Sequence, residues 1–367
     1  MYIILALLLL AILITVHEFG HFLAARATKI EVREFAVGMG PKLIGWKSRK
    51  HGTDFSIRAI PLGGFCAFYG EDDTKGISKD DPRAFAKQGV WRRLFVILMG
   101  PVMNFVLAFI AAVVLIWCTG ITVPLEPEQL DPFIQEVMAS GPAHDAGLKA
   151  GDEVLEINGR NMMDGTMETL LNTISSWKEG DGPLNMTIRR DGGTVQAEVI
   201  PVWNEEAQKM QIGVYISGYI RTETRPAGFF GGIGEAWKMC TNAGGAILRA
   251  LKNLVTKGEG LEDTAGPVGI VSMISSQVEG QVRQGGAGAG LSTFTQLLIL
   301  ISINLGLMNL LPIPGLDGSR LVFGISEAIR GKPVPAQKEA VVHLIGMGLL
   351  LALMVFFTFR DVIKLFQ

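Results

Sequence analysis

The stretch Val16-His17-Glu18-Phe19-Gly20-His21-Phe22 decides how the chain is read. It spells His-Glu-x-x-His. On a helix, His17 and His21 stand one turn apart on the same face. Two neutral imidazoles so placed can hold one zinc, and Glu18 between them can reach a water on the metal. The motif lies inside an apolar run from Met1 to about Ala27. Ionisable side chains in a membrane span cost about 2.5–3.5 kcal/mol each on insertion scales, so three together demand a function. A cleaved signal peptide is the competing reading, because Ala25-Arg26-Ala27 resembles a cleavage site. Against it, Met1-Tyr2-Ile3-Ile4 offers no basic leader, and such a peptide needs no His, Glu and His.

Composition points the same way. The 367 residues are 49% hydrophobic and only 19% charged, and the mean hydropathy is +0.34. That is too apolar for an ordinary soluble enzyme. A net charge of -2 argues against a nucleic-acid partner. Cys66, Cys118 and Cys240 are far apart and form no C-x-x-C pair, so neither a disulfide scaffold nor a cysteine zinc site is indicated.

The expected fold is a polytopic α-helical membrane protein with four transmembrane helices, a membrane-associated β region and an extracytoplasmic α+β domain. Residues 1–27 are the first transmembrane helix. Residues 28–93 form a cytoplasmic-side β and loop region, in which 30–35 and 55–60 alternate as strands do, with turns at 37–41 and 61–65. Residues 94–118 are the second transmembrane helix, broken only by Gly100-Pro101 and by Asn104, which reads as inter-helix glue. Residues 119–225 carry acidic residues in excess of basic ones. Strand-like runs at 134–137, 153–157, 184–188 and 194–199 meet at hairpin signals Asn158-Gly159 and Asp191-Gly192-Gly193. Residues 226–293 contain an amphipathic helix over 227–257 and then a Gly-rich linker. Residues 294–317 hold the third transmembrane helix, 318–340 a cytoplasmic loop, and 341–367 the fourth helix and tail.

Loop charges set the orientation. Thirteen Lys and Arg lie between Thr28 and Arg93, and Arg320, Arg330, Lys332 and Lys338 follow the third helix. Both loops share one side, which the positive-inside rule makes cytoplasmic. Both termini and the acidic domain then lie outside the cytoplasm.

A catalytic zinc usually takes three protein ligands and a water. No further His follows the motif at the spacing of extended zincins, where Ala24 and Ala27 stand. His51 and His144 read as solvated loop residues, His343 as a packing residue at the start of the fourth helix, and Glu31 and Glu34 as part of a strand. Asp317 is the best candidate. It comes just past an apolar span, at a Pro-broken end where irregular backbone can line a cavity. Its alternative role is to start a loop or cap the helix that follows. Glu18 is the expected general base on the attacking water and later the acid to the leaving amine. Asn304 and Asn309 are expected to face the site and hydrogen-bond substrate backbone or oxyanion, with inter-helix packing as the alternative.

These residues resemble the site-2 zinc metalloproteases that cut within membranes, of the bacterial regulator-of-sigma-E type. His17-Glu18-Phe19-Gly20-His21 matches the family's H-E-x-x-H, and the run from Asn309 to Gly318 is similar to its N-x-x-P-x-P-x-L-D-G motif, whose Asp is the third zinc ligand. Gly100-Pro101-Val102-Met103-Asn104-Phe105 resembles its G-P-x-x-N-F. Asn304 matches a second family asparagine held to bind substrate, and residues 35–43 and 61–65 resemble its membrane-associated β region. The run from Gly141 to Gly159 is similar to PDZ domains of bacterial proteases, with Gln211-Ile212-Gly213-Val214 as a displaced peptide-binding loop. Only one such domain fits, as in single-PDZ members. The resemblance implies Zn2+ as cofactor and single-span membrane proteins in the lipid bilayer as substrates, such as trimmed anti-sigma factors and remnant signal peptides. It also implies a location in the bacterial cytoplasmic (inner) membrane and a PDZ domain that filters by size or docks a peptide C-terminus. Two other classes stay open: a membrane-anchored zinc protease with an aqueous site acting on soluble peptides, and a non-catalytic PDZ scaffold.

Overall fold

The opening apolar run is one helix, α1 (Tyr2–Ala27). The computed structural model describes residues 2–71, 81, 83–124, 130–138, 140–162, 167–178, 180–205, 209–220, 222–258, 260, 265–332 and 336–365. Parts of two stretches read above as polar loop, 72–80 with 82 and 261–264, lie outside the described residues. The chain divides into Met1–Thr119 with Ala227–Gln367, and Gly120–Pro226.

In the first unit α1 leads into two long strands, β1 (Val32–Lys47) and β2 (Asp54–Phe68), and then into α2 (Val90–Thr119). The stretches at 37–41 and 61–65 are bends inside these strands rather than turns between strands. Residues 34–37 therefore pair both with 54–57 and with 64–67. Phe22 of α1 packs against Phe35 and Phe55, with ring centroids 5.5 and 5.8 Å away, and this fixes the β region to the motif-bearing half of the helix.

In the second unit the strands are β3 (Ile121–Pro124), β4 (Leu130–Val137), β5 (Glu153–Ile157), β6 (Arg160–Asn161), β7 (Leu184–Arg190), β8 (Gly193–Val199), β9 (Val202–Asn204), β10 (Lys209–Gln211), β11 (Val214–Ile220) and β12 (Thr222–Arg225). Two short helices, α3 (Pro142–Asp145) and α4 (Met167–Ser175), join them. The main sheet runs β11-β4-β5-β7-β8, with β6 on β5. Ile134, Val154, Ile157, Leu170, Leu184, Ile188 and Val199 form its core. Asp152 is 1% exposed at its side chain. It accepts from Arg190 Nε and Nη2 at 2.7 Å each and from the Lys149 backbone N–H at 2.7 Å. That hydrogen-bonded carboxylate raises the Arg190 guanidinium above its ordinary pKa. Breaking a buried pair costs about 3–5 kcal/mol, and Arg190 is 24% exposed, so Asp152→Ala is expected to cost about 2–3 kcal/mol. At about 4–8 °C per kcal/mol for a domain of this size, thermal unfolding of residues 120–226 expressed alone checks it.

The chain returns to the first unit through α5 (Phe229–Lys257). Its apolar face packs along α2, Phe229 on Trp117 and Trp237 on Phe109, with centroids 5.2 and 6.3 Å apart. Next comes α6 (Pro267–Leu310), which starts well inside the stretch read as linker and also extends before the expected third span. The Gly-rich sequence hid it because α6 is two helices joined at Gly286, whose φ of 75° only glycine adopts freely. A side chain on Gly290 would run into Val282 and meet Val278 O at 3.6 Å. In a continuous helix, residues 282 and 290 would lie roughly 12 Å apart, so the first segment folds back along the second. Ile274 and Val278 thereby reach Leu9, Leu13, Leu297 and Leu298. α6 ends at Leu310. Asp317, assigned above to the end of the third transmembrane helix, instead opens α7 (Asp317–Arg330), a helix where a loop was expected. α8 (Ala336–Leu365) closes the chain. Among the described residues, α1, α2, α6 and the Val341–Lys364 part of α8 are long and apolar enough to cross a membrane.

Candidate metal centre

His17 and His21 are both 7% exposed and face the start of α7. Asp317 Oδ2 lies 3.0 Å from His17 Nε2 and 3.3 Å from His21 Nε2, and the two Nε2 atoms are 3.3 Å apart. Ligands about 2.0–2.1 Å from a tetrahedral zinc stand roughly 3.3 Å from one another. The donor triangle has that size, and its N, N, O composition suits zinc. Asp317 Oδ2 is buried and accepts no hydrogen bond of acceptable geometry despite its two nitrogen neighbours. A buried carboxylate oxygen in that position needs a positive partner, so the three residues fit a metal ion. Among the described residues no other group of three His, Cys, Asp or Glu side chains clusters in this way.

A cavity of about 240 Å³ opens on the cluster, lined by Ile14, His17, Glu18, Leu305, Asn309, Gly315, Leu316 and Asp317. Gly64 of β2 lies against the Glu18 side chain, a Cβ there standing 3.4 Å from Glu18 Cγ, so β2 flanks the carboxylate beside the cluster. Burial, with Glu18 and Glu71 nearby, pushes the Cys66 thiol well above its ordinary pKa. Asn309 lines the cavity, with Nδ2 3.5 Å from both His17 nitrogens. Asn304 does not line it and lies on an exposed part of α6. The expectation that both face the site fails on helix geometry, since five residues at 3.6 per turn separate side chains by about 140°.

The match to known proteins follows the same residues. The model of peptidase family M50 matches residues 5–353. The chain belongs to peptidase family M50, the site-2 proteases. A Clostridium acetobutylicum protein named as a zinc metalloprotease is 33% identical over 98% of this chain and 97% of its own length. The regulator of sigma-W protease RasP of Bacillus subtilis is 31% identical over 96% of each chain. Among solved structures, the PDZ domain of an SdrC-like protein from Listeria monocytogenes matches at 22% identity, over 26% of this chain and 93% of that domain, with a TM-score of 0.22. This M50 chain is thus a zinc metalloendopeptidase with helices fit for a membrane.

The second helix of this M50 peptidase holds both imidazoles from behind, which the sequence alone did not reveal. His21 Nδ1 donates to Val96 O at 2.9 Å, and His17 Nδ1 lies 3.2 Å from Asn104 Nδ2. Between them, Gly100 leaves the room that the rings occupy. A Cβ there would overlap Nε2 and Cε1 of His21 and come within 3.0 Å of His17 Cε1. Pro101, inside the helix, has no N–H to give the carbonyl of Ile97, next to the Val96 carbonyl that accepts from His21. Only the spacing of Gly100 and Asn104, four residues and about one turn apart, could have signalled a shared face.

Asp317 is placed by what surrounds it. Gly315 N–H donates to His343 Nδ1 at 3.3 Å, and Gly346 leaves space for Pro314, so α8 braces the loop before the aspartate. His343 thus acts on the loop rather than in the cluster. Arg93 of α2 pairs with Glu327 of α7 at 2.6 Å and Gly324 closes on Leu94, which sets α7 against α2.

Proposed function

We propose that the chain is an intramembrane endopeptidase that cuts the transmembrane segments of single-span membrane proteins in the bacterial cytoplasmic membrane. His17, His21 and Asp317 hold the zinc, Glu18 is the general base and acid, and Asn309 contacts the substrate backbone. The carrying observation is the address of the cluster. Two of its three residues lie within α1, a helix long and apolar enough to cross a membrane, and apolar Ile14, Leu305 and Leu316 line its cavity. Bound zinc supplies Lewis-acid polarisation of the scissile carbonyl and a nucleophile at neutral pH. Glu18 takes the proton of the attacking water and returns it to the leaving amine. Asn309 Nδ2 is placed to steady the substrate carbonyl or the developing oxyanion, and Asn304 would meet a substrate only outside the cavity.

The peptide groups of a helical transmembrane segment are hydrogen-bonded within the helix, so the segment has to unwind locally before its scissile carbonyl can meet the site. The loop charges support an orientation with both termini and residues 119–225 outside the cytoplasm. Residues 120–226 act as a PDZ domain. β11 sits at the edge of its sheet, where an extended peptide C-terminus can add as a further strand.

The test uses purified full-length protein in proteoliposomes with a single-span substrate, alongside a soluble peptide carrying the same cleavable residues without a span. Cleavage of the spanning substrate, abolished by a zinc chelator and restored by zinc, is expected. Chelator-sensitive cleavage of the soluble peptide alone would show an aqueous site and overturn the reading.

A further inference from the structure

Once both Nε2 atoms face the metal position, the proton of each neutral imidazole has to sit on Nδ1, and each Nδ1–H needs an acceptor. His21 has one in Val96 O at 2.9 Å. His17 faces the amide nitrogen of Asn104 at 3.2 Å, a contact that needs Nδ1 to accept and so puts the ring proton on Nε2. That tautomer closes the lone pair a metal would use. Asn104 is fully buried, and its Oδ1 has no hydrogen-bond partner. The two ends of a side-chain amide are nearly equal in shape and are told apart only by their partners.

We infer that Asn104 is a positioning residue of the metal centre: its amide is turned so that Oδ1 accepts His17 Nδ1–H, which fixes the tautomer and the plane of His17. The inference rests on the reading of His17 as a zinc ligand. Turning the amide gives the orphaned oxygen its donor and frees His17 Nε2. Ser302 Oγ donates to the Asn104 backbone carbonyl at 2.8 Å, and both residues are buried, so α6 steadies this turn of α2. Asn309 is the other amide near His17, but at 3.5 Å from both ring nitrogens it selects neither.

Asn104→Leu keeps the bulk and removes the acceptor, whereas Asn104→Asp keeps an acceptor and removes the donor. Zinc affinity of the full-length proteins in detergent is measured by competition with a chromophoric chelator, with metal content by mass spectrometry and folding by circular dichroism. Loss of such a supporting hydrogen bond typically weakens metal binding about 10–100-fold. Asn104→Leu is expected to fall in that range, and Asn104→Asp to stay within a few fold of the unaltered protein. Two folded variants that bind zinc as tightly as the unaltered protein would overturn the inference. So would an aspartate variant as weak as the leucine variant, which would reduce Asn104 to inter-helix packing. The ligand set is tested separately. Unaltered protein without one zinc equivalent, or Asp317→Ala with a full one, overturns the metal reading itself.

Discussion

Glu18→Gln is expected to lower cleavage about 10²–10⁴-fold, the usual worth of a positioned general base and acid, while zinc stays at one equivalent. Glu18 lies beside the three donors and is not one of them. The amide keeps the length and shape of the carboxylate, and so its packing beside Gly64 of β2. What it loses is the ability to take a proton from water and hand it on. The expected signature is therefore a fall in turnover at unchanged metal content, with substrate still retained in a pull-down. Cleavage within tenfold of the unaltered protein would remove Glu18 from the mechanism. Loss of zinc would instead make Glu18 a part of the metal site's structure.

Much of this was legible in the sequence because the signals were local. His17, Glu18 and His21 are read from four-residue spacing. In the second unit, Asp191 and Gly192 both take positive φ in the hairpin that the Asp-Gly pair foretells. The fourth apolar run is long enough to name a span without ambiguity. The remainder depends on long-range contacts. The hairpin within α6 was hidden because its first segment is amphipathic and Gly-rich, and Ile274 and Val278 find their burial only against α1 and the second segment. α7 was read as loop because Ser319, Arg320, Glu327 and Arg330 interrupt its apolar residues. Val322, Ile325 and Ile329 are exposed, and it is Gly324 and Glu327 that meet Leu94 and Arg93 of α2. Asn304 and Asn309 looked equivalent in the motif, and helical rotation separates them. Asn104 read as glue because nothing local says that the neighbouring helix carries His17.

Gly100→Ala is the substitution expected to disable the site most completely for the fewest atoms added. The methyl would overlap the His21 ring and crowd the His17 ring at 3.0 Å. Neither ring can swing clear without loss, because Val96 O holds His21 and Asn104 abuts His17. The helices cannot part easily either. Gly20 of α1 leaves its own missing side chain for the carbonyl of Met99, so the backbones are in close contact on both sides of the crossing. A Cβ at position 100 also strains against the Pro101 ring, which disfavours helical backbone in the residue before it. Alanine gains about 1 kcal/mol over glycine in helix propensity, and overpacking costs about 1–3 kcal/mol, so the fold is expected to survive with a modest loss of stability. The metal geometry has less tolerance, since displacing one donor of three by even 1 Å breaks the triangle. Zinc affinity is expected to fall more than about 100-fold, beyond the usual worth of one supporting contact, and cleavage to become undetectable. Gly348→Ala is the control, because a Cβ there meets nothing within 4 Å, and it is expected to leave zinc and activity unchanged. Chelator competition and circular dichroism on both variants decide the matter. A Gly100→Ala protein that keeps full zinc affinity would show that α2 does not set the rings.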